Sequence, residues 1–342
     1  MVQVLGNLSV ASGHTGFQGK NPMLTLGGRA RVLCSQGHLL RISVSLHSLR
    51  SGGATRRRVL MSEGDIAEQN AELEATDDNY DGKLVVSSML PSDPRVFASR
   101  LRCSLDSWTA AGTRGVWLKL GISQSSLIPE AVDQGFEFHH AEKDYVMMTR
   151  WLQASVPSTL PANASHQVGV GAFVVNSRGE VLVVLERTGV LRSRGVWKMP
   201  TGVVTMGEDL TVAAERELLE ETGISARVEA MLAVRQAHGF AFGKSDMFVV
   251  LGMRPIPDEQ QPIPQESELV DARWVPIREY TEQEFFSGMP LYSKMLERCL
   301  AWAEGRYKGF RTARLESSVV TKRSDLLIWG EDDDNAIARR AD

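Results

Sequence analysis

The segment that most constrains this chain is 202–224, which reads GVVTMGEDLTVAAERELLEETGI. Its pattern predicts a helix over 210–222. A helix turns roughly 100° per residue, so Glu217, Glu220 and Glu221 share one face within an arc of about 100°. Like charges three and four residues apart destabilise an isolated helix by about 0.2–0.5 kcal/mol per pair. Because the three carboxylates repel one another, this face needs a cationic partner.

That partner is predicted to be a metal ion rather than a side chain. Arg216 lies four residues before Glu220 and can pair with at most one or two of the carboxylates. Oxygen ligands without a nearby His or Cys favour a hard ion, Mg²⁺ or Mn²⁺, over zinc. Gly202 suits a backbone bend before the helix, and Gly223 suits the left-handed residue that ends it. The pattern therefore predicts a loop, a helix and a loop around a divalent cation.

The same segment matches every fixed position of the Nudix box, G-x5-E-x7-R-E-U-x-E-E-x-G-U, in which U is apolar. The matching residues are Gly202, Glu208, Arg216, Glu217, Leu218, Glu220, Glu221, Gly223 and Ile224. The chain therefore resembles the Nudix hydrolases, and the resemblance implies an α/β (α+β) fold, an α-β-α sandwich with a mixed sheet. Two alternatives stay open: an ordinary acidic surface helix, and a Nudix-like domain that binds a ligand without catalysis.

The resemblance also implies a role for each charged residue of the box. The ligands of a divalent metal would be Glu217, Glu220, Glu221 and the carbonyl oxygen of Gly202. The three glutamates are counted as catalytic, as are Glu208 and Arg216, which would pair and hold loop and helix in register. The implied reaction is metal-dependent hydrolysis of the diphosphate bond in a nucleoside diphosphate linked to another moiety, by a water that the metal makes more acidic.

A further ligand or general base is expected downstream of the box, in residues 265–268, which read QESE. The resemblance supports this expectation, because Nudix proteins often carry a glutamate on the loop before a strand such as 269–275. We predict that Glu268 rather than Glu266 is the catalytic residue of this loop.

Two stretches outside the box are candidates for binding the nucleoside. Trp197 lies in VWKMPT, which resembles the W-x-x-P-x-G entry of the family, and either packs in the core or stacks a base. The loop 238–245, HGFAFGKS, offers Phe240 and Phe242 to stack adenine and Lys244 to meet phosphate. The alternative for this loop is a mobile connection with incidental aromatic residues.

Residues 77–152 are predicted to form a small, acetyltransferase-like α/β domain with a helix over 93–111. The chain lacks the Arg/Gln-x-x-Gly-x-Gly/Ala loop that acetyltransferase chemistry would need. Instead, the segments YDGKLVV, LPSDP, GVWLKL, GFEFHHAE and DYVMM resemble the domain before the Nudix domain in the plant ADP-ribose/NADH pyrophosphatase branch. This resemblance implies ADP-ribose or NADH as substrate, cleaved to AMP and a phosphorylated product. Coenzyme A, FAD and dinucleoside polyphosphates are the alternatives.

Two further expectations concern this first domain. His139 and His140 are neighbours on a predicted strand, 136–140, and neighbouring strand residues point to opposite faces, so we expect that they do not bind one ion. The domain offers strand edges and apolar faces but no catalytic set. We therefore expect it to build a homodimer interface.

Composition separates the ends of the chain from its domains. Residues 1–62 contain no Asp or Glu but repeated Ser and Arg, which is typical of a chloroplast or mitochondrial transit peptide. A disordered basic extension on a cytoplasmic protein is the alternative. The other predicted regions are a linker, the Nudix domain and a partly disordered tail, at 153–167, 168–304 and 305–342.

Within the Nudix domain, the apolar runs 168–175 and 180–186 are expected to pair as a hairpin around the turn 176–179. The 342 residues carry a net charge of −4, which argues against a protein that coats nucleic acid. No apolar run approaches the roughly 20 residues that span a bilayer. The expected partner is a small-molecule nucleoside diphosphate derivative, with neither membrane nor nucleic acid.

Overall fold

The computed structural model describes residues 71–189, 191–239, 242–317 and 323–330. The predicted transit segment lies outside these ranges. The chain divides into two compact units, with the boundary between Ala164 and Ser165. Among the helices that the structure describes, none has the length and hydropathy of a membrane-spanning segment.

The first unit contains five strands, β1 Ala75–Asp77, β2 Lys83–Val85, β3 Gly115–Gly121, β4 Glu137–Ala141 and β5 Tyr145–Trp151. They form one sheet in the order β1-β2-β3-β5-β4. β2 and β3 are parallel, and the other neighbours are antiparallel. Two helices, α1 Pro94–Ala110 and α2 Ile128–Asp133, complete the unit.

α1 begins and packs as its sequence dictates. The Asp93 side chain accepts a backbone N–H of the first turn at 2.7 Å, and Pro94 opens the helix. Its apolar residues recur every three or four positions and are buried: Phe97, Leu101, Leu105 and Trp108. The helix therefore covers the sheet with one continuous stripe.

A β-bulge in β4 changes the relation between the adjacent histidines. The register of β4 against β5 shifts between Phe138 and His140, and the Nδ1 atoms of His139 and His140 lie 2.7 Å apart. His140 Nε2 in turn lies 3.2 Å from the hydroxyl of Tyr145. The expectation of opposite directions is wrong, because a bulge interrupts the alternation of side chains along a strand.

Part of the predicted linker packs against the first unit. The indole N–H of Trp151 donates to the carbonyl oxygen of Val156 at 2.8 Å. Leu160 covers Gly115 so closely that a Cβ added to the glycine would lie 2.7 Å from Leu160 Cδ2. One backbone carbonyl and one apolar side chain therefore anchor this stretch, and the next strand begins at His166.

The second unit has eight strands: β6 His166–Val174, β7 Glu180–Glu186, β8 Thr201–Val203, β9 Ala226–Ala237, β10 Ser245–Pro255, β11 Leu269–Pro276, β12 Phe310–Ser317 and β13 Arg323–Gly330. Six of them form a sheet in the order β13-β12-β9-β10-β6-β8, and β7 pairs with β11. β6 and β10 are parallel, whereas the other pairs are antiparallel. The helices are α3 Leu210–Thr222, α4 Ile277–Thr281, α5 Glu284–Ser287 and α6 Pro290–Ala303.

Side chains of β6 fill two cores in alternation. Val170, Ala172 and Val174 pack with residues of α3, whereas Phe173 packs with residues of α6. A helix on each face of a mixed sheet is the α-β-α sandwich that the sequence predicts, so this fold class is confirmed.

β6 and β7 do not pair as the predicted hairpin. In the described chain they are joined by a bridge between Val175 and Val181, while β6 pairs with β8 and β10, and β7 pairs with β11. Both strands are apolar on both faces, as strands buried between layers are. Each therefore takes its own partners, and the turn 176–179 passes the chain from one sheet to the other.

The large sheet continues beyond residue 304, where the sequence analysis places a tail. β12 and β13 form an antiparallel hairpin, Phe310 pairs with Met231 of β9, and Ile328 packs against the core that contains α3. Gly309, at φ +73°, permits the approach, because an added Cβ would lie 2.7 Å from the carbonyl oxygen of Met231. The sequence analysis missed both strands because an edge hairpin with one wet face carries only a weak apolar pattern.

Candidate active site on the glutamate-rich helix

α3 and β8 form the frame of the candidate site. α3 covers the predicted range and ends at Gly223, which has φ +69° and donates its N–H to the carbonyl of Leu219 at 2.9 Å. One face of the helix is held on the sheet by buried residues, namely Ala213, Ala214 and Leu218. Glu217 and Glu220 lie on the rest of its surface, whereas Glu221 is buried.

Arg216 joins the helix to the loop before it. Its Nε and Nη2 donate to the two carboxylate oxygens of Glu208 at 2.7 and 2.8 Å, a bidentate geometry. The same carboxylate accepts the backbone N–H and the hydroxyl of Thr205 at 3.0 and 2.8 Å. The Arg216 guanidinium, with help from Thr205, lowers the pKa of Glu208 to about 2. The structure thus brings this predicted pair together.

Arg216 also contacts two of the three glutamates on the predicted metal face. Its Nη1 lies 2.9 Å from Glu217 Oε1 and 3.2 Å from Glu220 Oε2. Its Nη2 donates to the carbonyl of Val203 in β8 at 3.2 Å. The arginine therefore supplies part of the positive charge that the carboxylates require, and it ties the helix to the strand.

Gly202 lies inside β8 rather than at a backbone bend. A Cβ added at this position would overlap the carboxyl group of Glu217, whose Oε1 accepts the N–H of Val203 at 3.2 Å. The expected bend is wrong, and the glycine is needed because strand and helix side chain approach each other closely. The approach leaves the backbone of Gly202 beside the Glu217 carboxylate.

Glu221 is the buried carboxylate of the site. It is 6% exposed, and its Oε2 has no hydrogen-bond partner. Burial raises the pKa of Glu221 to about 7, and the charges of Glu217 and Glu268 add to this effect. Lys198 and the backbone N–H of Thr201 act in the opposite direction. Because an unpaired buried carboxylate costs several kcal/mol or takes up a proton, the environment of Glu221 favours a cation.

Lys198 is a site residue that the sequence analysis missed. Its Nζ lies 2.7 Å from Glu186 Oε1 and 2.6 Å from the hydroxyl of Thr201. Its side chain is mostly buried, and its charge acts on Glu221. One signal could have found it: Lys198 is a charged residue in an otherwise apolar run immediately before the box.

The loop before β11 brings Glu268 into the electrostatic environment of Glu221. The N–H of Gln265 donates to the carbonyl of Glu221 at 2.8 Å, which ties this loop to the end of α3. The charge of Glu268 contributes to the raised pKa of Glu221. The backbone carbonyl of Glu266 accepts Arg187 Nε at 2.7 Å on the same loop. Proximity to Glu221 thus supports the choice of Glu268 over Glu266.

The predicted nucleoside-binding residues have different environments. Trp197 packs against the core, and the Arg273 guanidinium lies 4.0 Å above its ring. Phe242 is 93% exposed in a left-handed conformation at φ +52°, and Lys244 follows it just before β10. Phe240 lies outside the described residues.

Strand register locates the loop 238–245 relative to the helix. Gly202 is opposite Val170, and Val170 is opposite Val249. Lys244 is five residues from this row, or about 17 Å along the strand at roughly 3.3 Å per residue. The structure therefore does not bring Phe242 and Lys244 together with the acidic cluster, although a ligand of two joined nucleotide-sized parts can span such a distance.

The fit of a divalent metal can be tested on these donors. In the part of the chain that the structure describes, no three acidic, His or Cys side chains form a ready metal cluster, and Arg216 engages Glu217 and Glu220. The unpartnered oxygen of Glu221 is buried, however, and further carboxylates surround it. An all-oxygen donor set of this kind fits Mg²⁺ or Mn²⁺, and rotation of Glu217 or Glu220 away from the arginine would complete it.

Comparison with known proteins identifies the family. The description "Nudix hydrolase domain" matches residues 73–152, and "NUDIX domain" matches residues 165–298. Nudix hydrolase 8 of Arabidopsis thaliana is 43% identical over 285 residues, which cover 83% of this chain and 76% of that protein. Nudix hydrolase 2 of the same plant is 45% identical over 246 residues, 72% of this chain and 87% of that protein.

An animal protein is also similar over part of the chain. Human Nucleoside diphosphate-linked moiety X motif 6 is 41% identical over 166 residues, 48% of this chain and 51% of that protein. The chain therefore belongs to the Nudix hydrolase family, and it is a Nudix pyrophosphohydrolase. The resemblance read from the box is confirmed.

Proposed function

We propose that this enzyme hydrolyses the diphosphate bond in a nucleoside diphosphate linked to another moiety, with ADP-ribose and NADH as the first candidates. The products would be AMP and a phosphorylated fragment. The observation that carries the proposal is the buried, unpartnered carboxylate oxygen of Glu221 on a helix that Arg216 and Glu208 hold against β8. The name of the human relative refers to the same class of substrate.

The residues divide this work between them. A divalent ion, Mg²⁺ or Mn²⁺, would supply positive charge to the diphosphate and make a water more acidic, and its ligands would be Glu217, Glu220, Glu221 and the Gly202 carbonyl. Glu208 and Arg216 hold the helix in register. Glu268, whose charge acts on Glu221, is the candidate to accept a proton from the attacking water.

The substrate is tested by a panel of ADP-ribose, NADH, FAD, coenzyme A and a dinucleoside polyphosphate, each with Mg²⁺ and with Mn²⁺. We expect ADP-ribose or NADH to give the highest kcat/KM, with AMP among the products. A higher value for another compound would replace the proposed substrate but keep the reaction. No turnover of any compound would favour a binding role.

The residue roles are tested by Glu220→Gln and Glu221→Gln. Each removes a charge without removing volume, so we expect kcat to fall by roughly 10²–10⁴-fold, the scale of a lost acid–base group, while the fold is kept. Glu282→Gln, at an exposed carboxylate that ends α4, is the matched control and should leave kcat unchanged. Wild-type turnover in either site variant at saturating metal would refute the assignment.

Dimerisation and import are proposals of the same kind. Phe138, on the edge strand β4, is 64% exposed, and an edge strand can pair with a second copy. Light scattering on the full chain should give the mass of a homodimer, and Phe138→Glu should lower it. Fluorescent fusions with and without residues 1–62 test import into chloroplast or mitochondrion, and identical cytoplasmic signals would refute it.

A further inference from the structure

A cleft lies in the second unit, where the chain leaves α6 and enters β12. Its volume is about 620 Å³, and small-molecule sites range from roughly 300 to 1,000 Å³. The lining residues that carry its chemistry are Glu229, Trp302, Tyr307, Lys308, Arg311 and Trp329. None of them belongs to the Nudix box or to the loop 238–245.

Aromatic side chains form the walls of this cleft. Trp302 is buried against Gly252, where an added Cβ would lie 2.8 Å from the indole Cε2, and the Arg254 guanidinium lies 4.6 Å from its ring centroid. The hydroxyl of Tyr307 donates to a backbone carbonyl of β9 at 3.3 Å. Trp329 is half-buried on β13. Rings that the fold holds in place can stack the planar base of a ligand.

The cleft also carries positive charge beside these rings. Lys308 and Arg311 are both exposed, and Arg311 is opposite Trp329 in the β12–β13 register, so the two side chains lie on the same face. The acidic group of the lining, Glu229, lies 3.4 Å from Arg254, which offsets its charge. Cationic groups next to planar rings match an anion attached to an aromatic base.

Sheet order separates this cleft from the candidate active site. Gly202 lies on β8, whereas Arg311 lies on β12, and β6, β10 and β9 lie between the two strands. Four spacings of about 4.8 Å place β12 roughly 19 Å from β8. A ligand in the cleft therefore occupies a position distinct from the acidic cluster.

We propose that this cleft is a binding site for a phosphorylated nucleoside. Its base stacks between Tyr307 and Trp329, and its phosphate lies against Lys308 and Arg311. The proposal does not depend on the reaction at the Nudix box. It requires only the chemistry of the lining residues.

The probe is AMP, titrated calorimetrically into the full-length chain in EDTA, so that hydrolysis is not the readout. We expect saturable binding, with adenosine and inorganic phosphate each binding more weakly than AMP. Lys308→Glu and Arg311→Glu should each weaken AMP binding by roughly 10–100-fold, the scale of a lost charge-assisted hydrogen bond. Arg95→Glu, the same charge change at an exposed residue of the first unit, is the matched control and should bind as wild type does.

Three results would overturn the proposal: no saturable binding of AMP at millimolar concentration, equal binding by both charge variants and wild type, or tighter binding of a single-stranded oligonucleotide than of AMP. Thermal unfolding of every variant accompanies the titrations. If one charge variant does not fold, the AMP affinities of the other charge variant and of Trp329→Leu test the proposal. Unchanged AMP affinity in a folded Trp329→Leu chain would also contradict the stacking role.

Discussion

The two units each bury a polar side chain, Ser104 in the first and Glu221 in the second, and they surround it differently. Ser104 is fully buried, and its hydroxyl accepts the N–H of Leu73 at 2.7 Å and donates to the carbonyl of Arg100 at 2.8 Å. Glu221 is nearly as buried, yet its Oε2 has no partner.

This difference separates a buried polar group whose hydrogen bonds the fold satisfies from one that the fold leaves partly unsatisfied. A buried hydroxyl with both partners contributes to stability, because removing it leaves the N–H that it accepts without a partner. A buried carboxylate oxygen without a partner is expensive for folding. Its presence on the face with Glu217 and Glu220 is best explained by a ligand that arrives after folding.

We expect the largest effect on the free energy of unfolding at Gly202, where β8 touches α3. Gly202→Ala places a Cβ on the carboxyl group of Glu217, so β8 and α3 must separate, and we expect a loss of about 3 kcal/mol in the free energy of unfolding with kcat reduced in parallel. Gly288→Ala is the control, since an added Cβ there meets nothing within 4 Å. Equal urea midpoints for the two variants would contradict the close packing.

The pH dependence of stability is a direct test of the Glu221 environment. The pKa of Glu221 in the folded chain, about 7, lies above its ordinary value of 4.5. The stability that it contributes is therefore complete below pH 4.5 and is lost as the pH rises through 7, a difference of a few kcal/mol in metal-free protein. In EDTA, Glu221→Gln should lack this loss and unfold at a higher urea concentration than wild type at pH 8. Parallel pH profiles for the two chains would contradict the raised pKa.

Ser104→Ala should destabilise the fold without lowering the activity. It leaves the buried N–H of Leu73 without its acceptor, so we expect a loss of about 1–3 kcal/mol in unfolding free energy with unchanged kcat/KM at temperatures where the variant is folded. Chemical denaturation and steady-state kinetics measure the two quantities. If Ser104→Ala lowered kcat/KM but kept the wild-type stability, the distinction between Ser104 and Glu221 would be lost.

Arg216→Lys tests whether the bidentate geometry matters. A lysine cannot reproduce two parallel bonds to Glu208, and we expect a loss of about 1–2 kcal/mol in unfolding free energy. Because the arginine lowers the pKa of Glu208, the wild type has a stability component that is present above pH 4.5 and lost as the pH falls through 2. That acid-dependent component should shrink in the variant. Arg227→Lys, at an exposed arginine, is the control.

The smallest effect is expected on the loop before β11. Glu268→Gln should lower kcat by roughly 10²-fold, the low end of the range for a lost proton-accepting group, and the pH profile of kcat should flatten on its acidic side. Glu266→Gln should leave both unchanged. Equal, negligible effects would place the base elsewhere, and a larger effect for Glu266 would reverse the choice between the two residues.

Much of the local structure could be predicted from the sequence. The range of α3, its stop at Gly223 and the acidic face all follow from spacing within one turn or two. β4, β7 and β11 lie close to the predicted strands 136–140, 180–186 and 269–275, since runs of β-branched and apolar residues between turn signals indicate strands.

The predictions of which strands pair and which side chains contact one another were less successful. The alternation of His139 and His140 is broken by a bulge against β5, and the pairing of β6 with β7 gives way to partners that are distant in the chain. The role of Lys198 depends on Glu186 and Thr201, which lie on different strands. These facts follow from contacts across the sheet, which local periodicity does not contain.

By itself, the sequence determined the family, the box and the residues that carry charge, because those depend on residue type and spacing. The tertiary structure alone decided that Gly202 provides close approach rather than a bend, that β12 and β13 extend the sheet, and that Glu221 is buried with its Oε2 unpartnered. The physical reason is that burial and pairing depend on residues brought together from distant parts of the chain. The chemistry of a carboxylate depends on those neighbours as much as on its place in a motif.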